Sequence, residues 1–156
     1  VRNLGLRCAT IAAVFAAVFV GGGVAQAAPV AVPVYQIPAT AFAVSGLIVP
    51  GPVFATVTAR SLAPTTTEFA APASPSACAT TAGRALVKIS YLNITTGASG
   101  SVTVKPCEFF IDPTPTSVVA HTGSGRILLT TQVVGSPFVP TAGQPSIPGI
   151  GTFHAP

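Results

Sequence analysis

His121 and Asp112 are the pair in this sequence that could move a proton, and with any of the chain's serines they compose a hydrolytic triad on paper. No serine stands in a Gly-x-Ser-x-Gly turn, the strained corner that lifts such a nucleophile into solvent. The set therefore reads as a surface histidine near an unrelated acid, and His154 reads the same way. Paired carboxylates for glycosidic cleavage would have to come from Glu68, Glu108 and Asp112. In a regular strand Glu108 and Asp112 share a face at roughly 13 Å. The separations used by such mechanisms are roughly 5–9.5 Å. Solvated charges flanking Phe109-Phe110-Ile111 are the simpler expectation, and no catalytic residue is assigned.

Cys78 and Cys107 can do a different kind of chemistry. Two thiols with no nearby histidine cannot complete a tetrahedral zinc site, whereas an even pair in an exported chain favours a disulfide. Closing a loop of this length stabilises a fold by roughly 3–4 kcal/mol in the chain-entropy model. No metal or cofactor is expected. Gly123-Ser124-Gly125 is too short to cradle a phosphate, and no helical pattern follows it. It reads as a turn. Asn93-Ile94-Thr95 matches a glycosylation sequon, which supports only a surface loop. Val139-Pro140-Thr141-Ala142-Gly143 departs from a cell-wall sorting motif at its first and fourth positions and lacks the apolar segment and basic tail.

The elements that must position these residues begin after a targeting segment. Arg2 and Arg7 precede the uncharged, largely apolar run Cys8 to Val20, Gly21-Gly22-Gly23 breaks it, and Val24-Ala25-Gln26-Ala27 has the small residues a signal peptidase requires. Residues 1–27 read as a helical signal peptide cleaved between Ala27 and Ala28. The apolar run is too short to cross a bilayer as an anchor. No later stretch could span as a helix, because prolines and hydroxyls interrupt each one. Val1 and the absence of methionine suggest a GTG start read literally, and with the Ala/Val/Pro/Thr-rich composition a high-GC bacterium.

Beyond residue 27 the chain keeps five cations, Arg60, Arg84, Lys88, Lys105 and Arg126, against three acids. Five dispersed cations do not form a nucleic-acid patch, so no nucleic-acid partner is expected. A surface this poor in charge is made of Ser, Thr, Gly and backbone.

Period-two alternation marks strands and no helical stripe competes with it. Thr40 to Val49 and Val53 to Arg60 flank Pro50-Gly51-Pro52 and predict a hairpin, with Val53 and Val57 inward and Thr56 and Thr58 outward. Arg84 to Lys105 predicts a second hairpin about a turn at 93–100, with Ala85, Val87, Ile89 and Tyr91 on one face. Glu108 to Asp112 could extend or bend that sheet. Ser117 to His121 is expected to pair with Arg126 to Val134 through the Gly-Ser-Gly turn. Ser61 to Gly83, rich in Ala, Pro, Ser and Thr, reads as a linker or surface loop whose Thr65-Thr66-Thr67 could carry O-linked sugars. Ser136 to Pro156, with its prolines and glycines, reads as an extended tail. If Phe109 and Phe110 lie in a strand they face opposite ways, so one could serve contact while the other fills the core; the favoured expectation is that a second sheet or the tail buries both.

The expected fold is all-β: a small antiparallel β-sandwich over 28–135, immunoglobulin-like or related, with six to eight strands and a tail at 136–156. The expected function is that of a secreted, non-enzymatic structural or binding module of a bacterial envelope or the extracellular space, its partner unknown. The competing readings are a membrane-associated oligomeric β assembly and, behind it, an exported hydrolase.

Overall fold

The computed structural model describes residues 28–45 and 49–156. The expected signal peptide lies outside the described residues, with Ala27 of the cleavage pair, and Ala28 is exposed at their start. The described chain is all-β. Its strands are β1 (Val30–Val32), β2 (Tyr35–Ile37), β3 (Ala39–Ser45), β4 (Val49–Ala55), β5 (Thr58–Ala63) and β6 (Thr66–Ala70). A single α-turn, α1 (Pro75–Cys78), and a 3₁₀ turn, Thr81–Arg84, follow. Then come β7 (Ala85–Asn93), β8 (Ser99–Val104), β9 (Ser117–His121), β10 (Gly125–Gly135), β11 (Ser146–Ile147) and β12 (Gly149–Ala155).

Every pairing is antiparallel. The strands form a four-stranded sheet, β1-β5-β6-β9, a five-stranded sheet, β2-β12-β10-β7-β8, and a three-stranded sheet, β11-β3-β4. The alternation of β10 shows why: Ile127, Leu129, Thr131 and Val133 are buried while Leu128, Thr130 and Gln132 are exposed. The main core joins the inner faces of the two larger sheets, with Ala59 and Phe69 from one meeting Val87, Ile89, Ile127 and Phe153 from the other. Burying each such Val, Ile or Phe side chain contributes about 1.5–3 kcal/mol before entropy is counted. At its centre Phe69 stacks on Tyr91 and meets Phe153 edge to face, both at 5.9 Å between ring centroids. A second core of small residues, Ala39, Ala41, Ala85, Val133 and Ala142, seats the three-stranded sheet.

Val57 is buried and Thr56 and Thr58 exposed, as the alternation predicts. Several boundaries differ, each for a physical reason. The 61–83 segment is not a free linker, since it carries the end of β5, all of β6 and both helical turns. Thr67 and Phe69 point inward and are essentially unexposed, and the Thr67 hydroxyl is 2.7 Å from that of Thr122. An inward threonine matched to another hydroxyl leaves no apolar alternation to read. The 136–156 segment is not a tail. Its β12 lies between β2 and β10 inside the five-stranded sheet. Glycine is disfavoured in strands, yet a Cβ on Gly149 would meet the carbonyl oxygen of Ile37 at 2.5 Å. The close strand crossing needs the residue that composition counts against β structure.

Pro50-Gly51-Pro52 does not form the hairpin turn but lies within β4, opposite Val44, Ala43 and Phe42 of β3. Prolines two apart aim their missing N–H groups to the same side. As β4 is an edge strand, that side is the open one. Strand β9 pairs with β6 and not with β10, so the Gly-Ser-Gly turn crosses between sheets. Gly123 and Gly125 make that change of direction at φ of 71° and 115°. Glu108 to Asp112 forms no strand.

Candidate functional site

Two helical turns and one long loop build a groove beside the disulfide. Ser74 caps α1 by accepting from the Ala77 N–H at 3.2 Å, and Thr80 caps the 3₁₀ turn by accepting from the Ala82 N–H at 3.2 Å. Gly83 lies against the Cys78 carbonyl, where a Cβ would overlap it, so the two turns fold back on each other. Cys78 is bonded to Cys107, with Cα atoms 5.6 Å apart. The Ala73 N–H donates to the Pro106 carbonyl at 3.1 Å and makes a second tie across the same gap.

The loop from Lys105 to Thr116 is held by its own first residue. The Lys105 ammonium donates to the carbonyls of Phe110 and Asp112 at 2.9 and 3.0 Å, and its N–H donates to Pro115 at 2.8 Å. Asp112 Oδ1 accepts from the Thr114 N–H at 2.8 Å, while Oδ2 is buried without a partner. Thr114, through its side chain and then its backbone N–H, holds the Asp112 carboxyl below its ordinary value; burial opposes this and the Lys105 charge assists. With its polar atoms turned inward, the loop shows Phe109 and Ile111 to solvent at 95 and 91 % exposure.

The groove under this loop has a volume of about 1260 Å³. Arg60 and Glu68 of β5 and β6, Arg84, Lys105 and Glu108 line it, five of the eight charged side chains beyond residue 27. Phe109, Ile111 and the exposed Phe138 give it apolar walls. Arg60 and Glu68 are cross-strand partners 3.9 Å apart, and Glu68 also accepts from the Ser117 hydroxyl at 2.8 Å. An exposed pair of this kind adds little stability. It does commit Glu68 to a fixed geometry.

The residues weighed for catalysis do not gather here. His121 is exposed on β9 and His154 on β12, and neither lines the groove. Among the described residues no hydrogen bond or ion pair joins either ring to an acid, and no group of three His, Cys, Asp or Glu side chains could hold a metal. Asn93 lies in the interior and not on a surface loop. Its amide donates to the carbonyls of Thr122 and Ser124 at 2.8 and 2.9 Å and accepts from the N–H groups of Thr95 and Thr96 at 2.8 and 3.0 Å. All four of its hydrogen-bonding positions are used, which leaves no nitrogen for a glycan. Thr67 is likewise buried. In the 139–143 segment Ala142 and Gly143 are buried, Gly143 against Val133 and Ala85.

The expectation that Phe109 and Phe110 are both covered fails, because they lie in a loop and not a strand and Phe109 is exposed. The placing of Arg84 and Phe138 in a groove was not read at all. These residues are scattered along the chain, so no local spacing brings them together. No protein-family model, curated protein or solved structure matches this chain.

Proposed function

We propose that the chain is an exported, non-enzymatic binding module, a β-sandwich that works outside the cytoplasm once residues 1–27 are removed. The observation that carries this reading is the groove beside the disulfide: most of the charged side chains and two almost fully exposed apolar residues converge on one concavity. Exposed apolar side chains on a loop latched from within favour contact with a partner. The cysteine pair fits an oxidising compartment. The groove's acids are engaged or solvent-facing and no imidazole lines it, so binding is better supported than turnover. The ligand suited to these walls is amphiphilic, offering apolar groups to Phe109, Ile111 and Phe138 and an acid to Arg84.

The test places a photoreactive phenylalanine analogue at position 109 in the native host, with the exposed Pro64 position as control. Adducts specific to position 109, on protein recovered outside the cytoplasm with both thiols oxidised, support the reading. Cytoplasmic retention with free thiols, or equal labelling at both positions, removes it. So does ester, peptide or glycan hydrolysis that disappears with His121→Ala.

A further inference from the structure

The outward face of the five-stranded sheet carries an apolar band that no described residue covers. Cross-strand pairing places Tyr35, Thr152, Leu128 and Leu92 in one row and Ile37, Ile150, Thr130 and Ser90 in the next. Residues paired in an antiparallel ladder point to the same face. Tyr35, Ile37, Ile150, Leu92 and Leu128 are 73, 67, 59, 44 and 43 % exposed. The band crosses four adjacent strands.

Its charges have one sign. Arg126 and His154 pair with each other in the row beyond Leu128, and Lys88 pairs with Gln132 in the row beyond Ser90. The cations Arg126 and Lys88 thus bracket the apolar band, about 20 Å from end to end at strand spacing. All three acids lie elsewhere: Glu68 on β6, Glu108 and Asp112 in the 105–116 loop. A second copy docked face to face would set cation against cation, with no acid to answer them. A surface with a plane of negative charge over an apolar interior answers both features at once. Apolar burial and basic attraction together supply the two contributions that stable attachment to a bilayer requires. Tyr35 suits the headgroup level, its ring apolar and its hydroxyl polar.

We propose that this face docks peripherally on a lipid bilayer bearing anionic headgroups. The groove shares none of these residues, so the proposal does not rest on the ligand proposed there.

The experiment is flotation of protein recovered from its host with vesicles of phosphatidylcholine alone or mixed with phosphatidylglycerol. The expected result is attachment to the mixed vesicles that weakens with added salt. Lys88→Gln with Arg126→Gln is expected to lower that affinity roughly tenfold or more, and Leu92→Ser with Leu128→Ser to lower it comparably. All four positions are exposed, so unchanged near-UV circular dichroism checks that the variants fold. Four outcomes overturn the proposal. The first is no attachment. The second is equal attachment to both vesicle types that the variants leave untouched, which would point to a retained 1–27 segment. The third is a lipid-free dimer abolished by the leucine pair, which makes the occupant a second copy. The fourth is capture by polyglutamate without capture by vesicles, which makes it an acidic protein.

Discussion

Removing the Cys78–Cys107 bond is expected to destabilise the fold mainly through the unfolded chain. The cysteines are 29 residues apart, and the loop between them contains the whole β7–β8 hairpin. For a loop of this length the chain-entropy model gives roughly 3–4 kcal/mol. In a domain of this size that lowers the thermal midpoint by roughly 10–15 °C. The folded state should change little, because the Ala73–Pro106 hydrogen bond still spans the gap and the Lys105 ammonium still holds the loop. Cys107 is buried, so alanine is the right replacement there, and serine suits the partly exposed Cys78. The assay compares thermal and guanidinium unfolding of the native protein with Cys78→Ser/Cys107→Ala. If the bond acts on the unfolded state, the variant's guanidinium slope should be steeper, because its denatured chain exposes more surface. A midpoint within about 3 °C of wild type, or a loss confined to native packing with an unchanged slope, would refute the reasoning.

Phe69→Ala empties the centre of the shared core and should cost about 3–5 kcal/mol, read from chemical denaturation. A near-neutral result would return 61–83 to the status of a loop. Asn93→Ala leaves two carbonyls and two N–H groups without their partner and should cost about 3 kcal/mol. Equilibrium unfolding checks the size, and loss of amide protection at Thr95 and Thr96 checks the cause. Because the folded Asp112 carboxyl lies below its unfolded value near 3.8, its contribution is present above that pH and lost as pH falls through the folded value. Thermal midpoints should therefore drop more steeply below about pH 4 in wild type than in Asp112→Asn, and parallel curves would show that Thr114 does not favour the charged form.

The all-β class was legible because β7, β8 and β10 alternate with a period of two over residues whose inward side chains are apolar. The hairpin of β7 and β8 and the inward set Ala85, Val87, Ile89 and Tyr91 stand in the structure as the alternation has them. The Cys78–Cys107 pair was legible as the two cysteines beyond residue 27. β6 and β12 were not. Beside Phe69 and Phe153, their inward positions hold Thr67 and glycines, residues chosen by what lies across the sheet and not by local propensity. Asn93 looked like a surface sequon because nothing in Asn-Ile-Thr shows that two carbonyls from the β9–β10 connection close over it.

The sequence by itself determined the strand-forming character of the chain, its scarcity of charge and the chemistry available to it, because composition and a period of two are local properties. Only the tertiary structure decided which strands neighbour one another, that the last residues form an interior strand, and that scattered cations and aromatics meet in one groove. Those outcomes depend on side chains far apart in sequence filling a shared space. The volume left by one of them cannot be read until the others are in place.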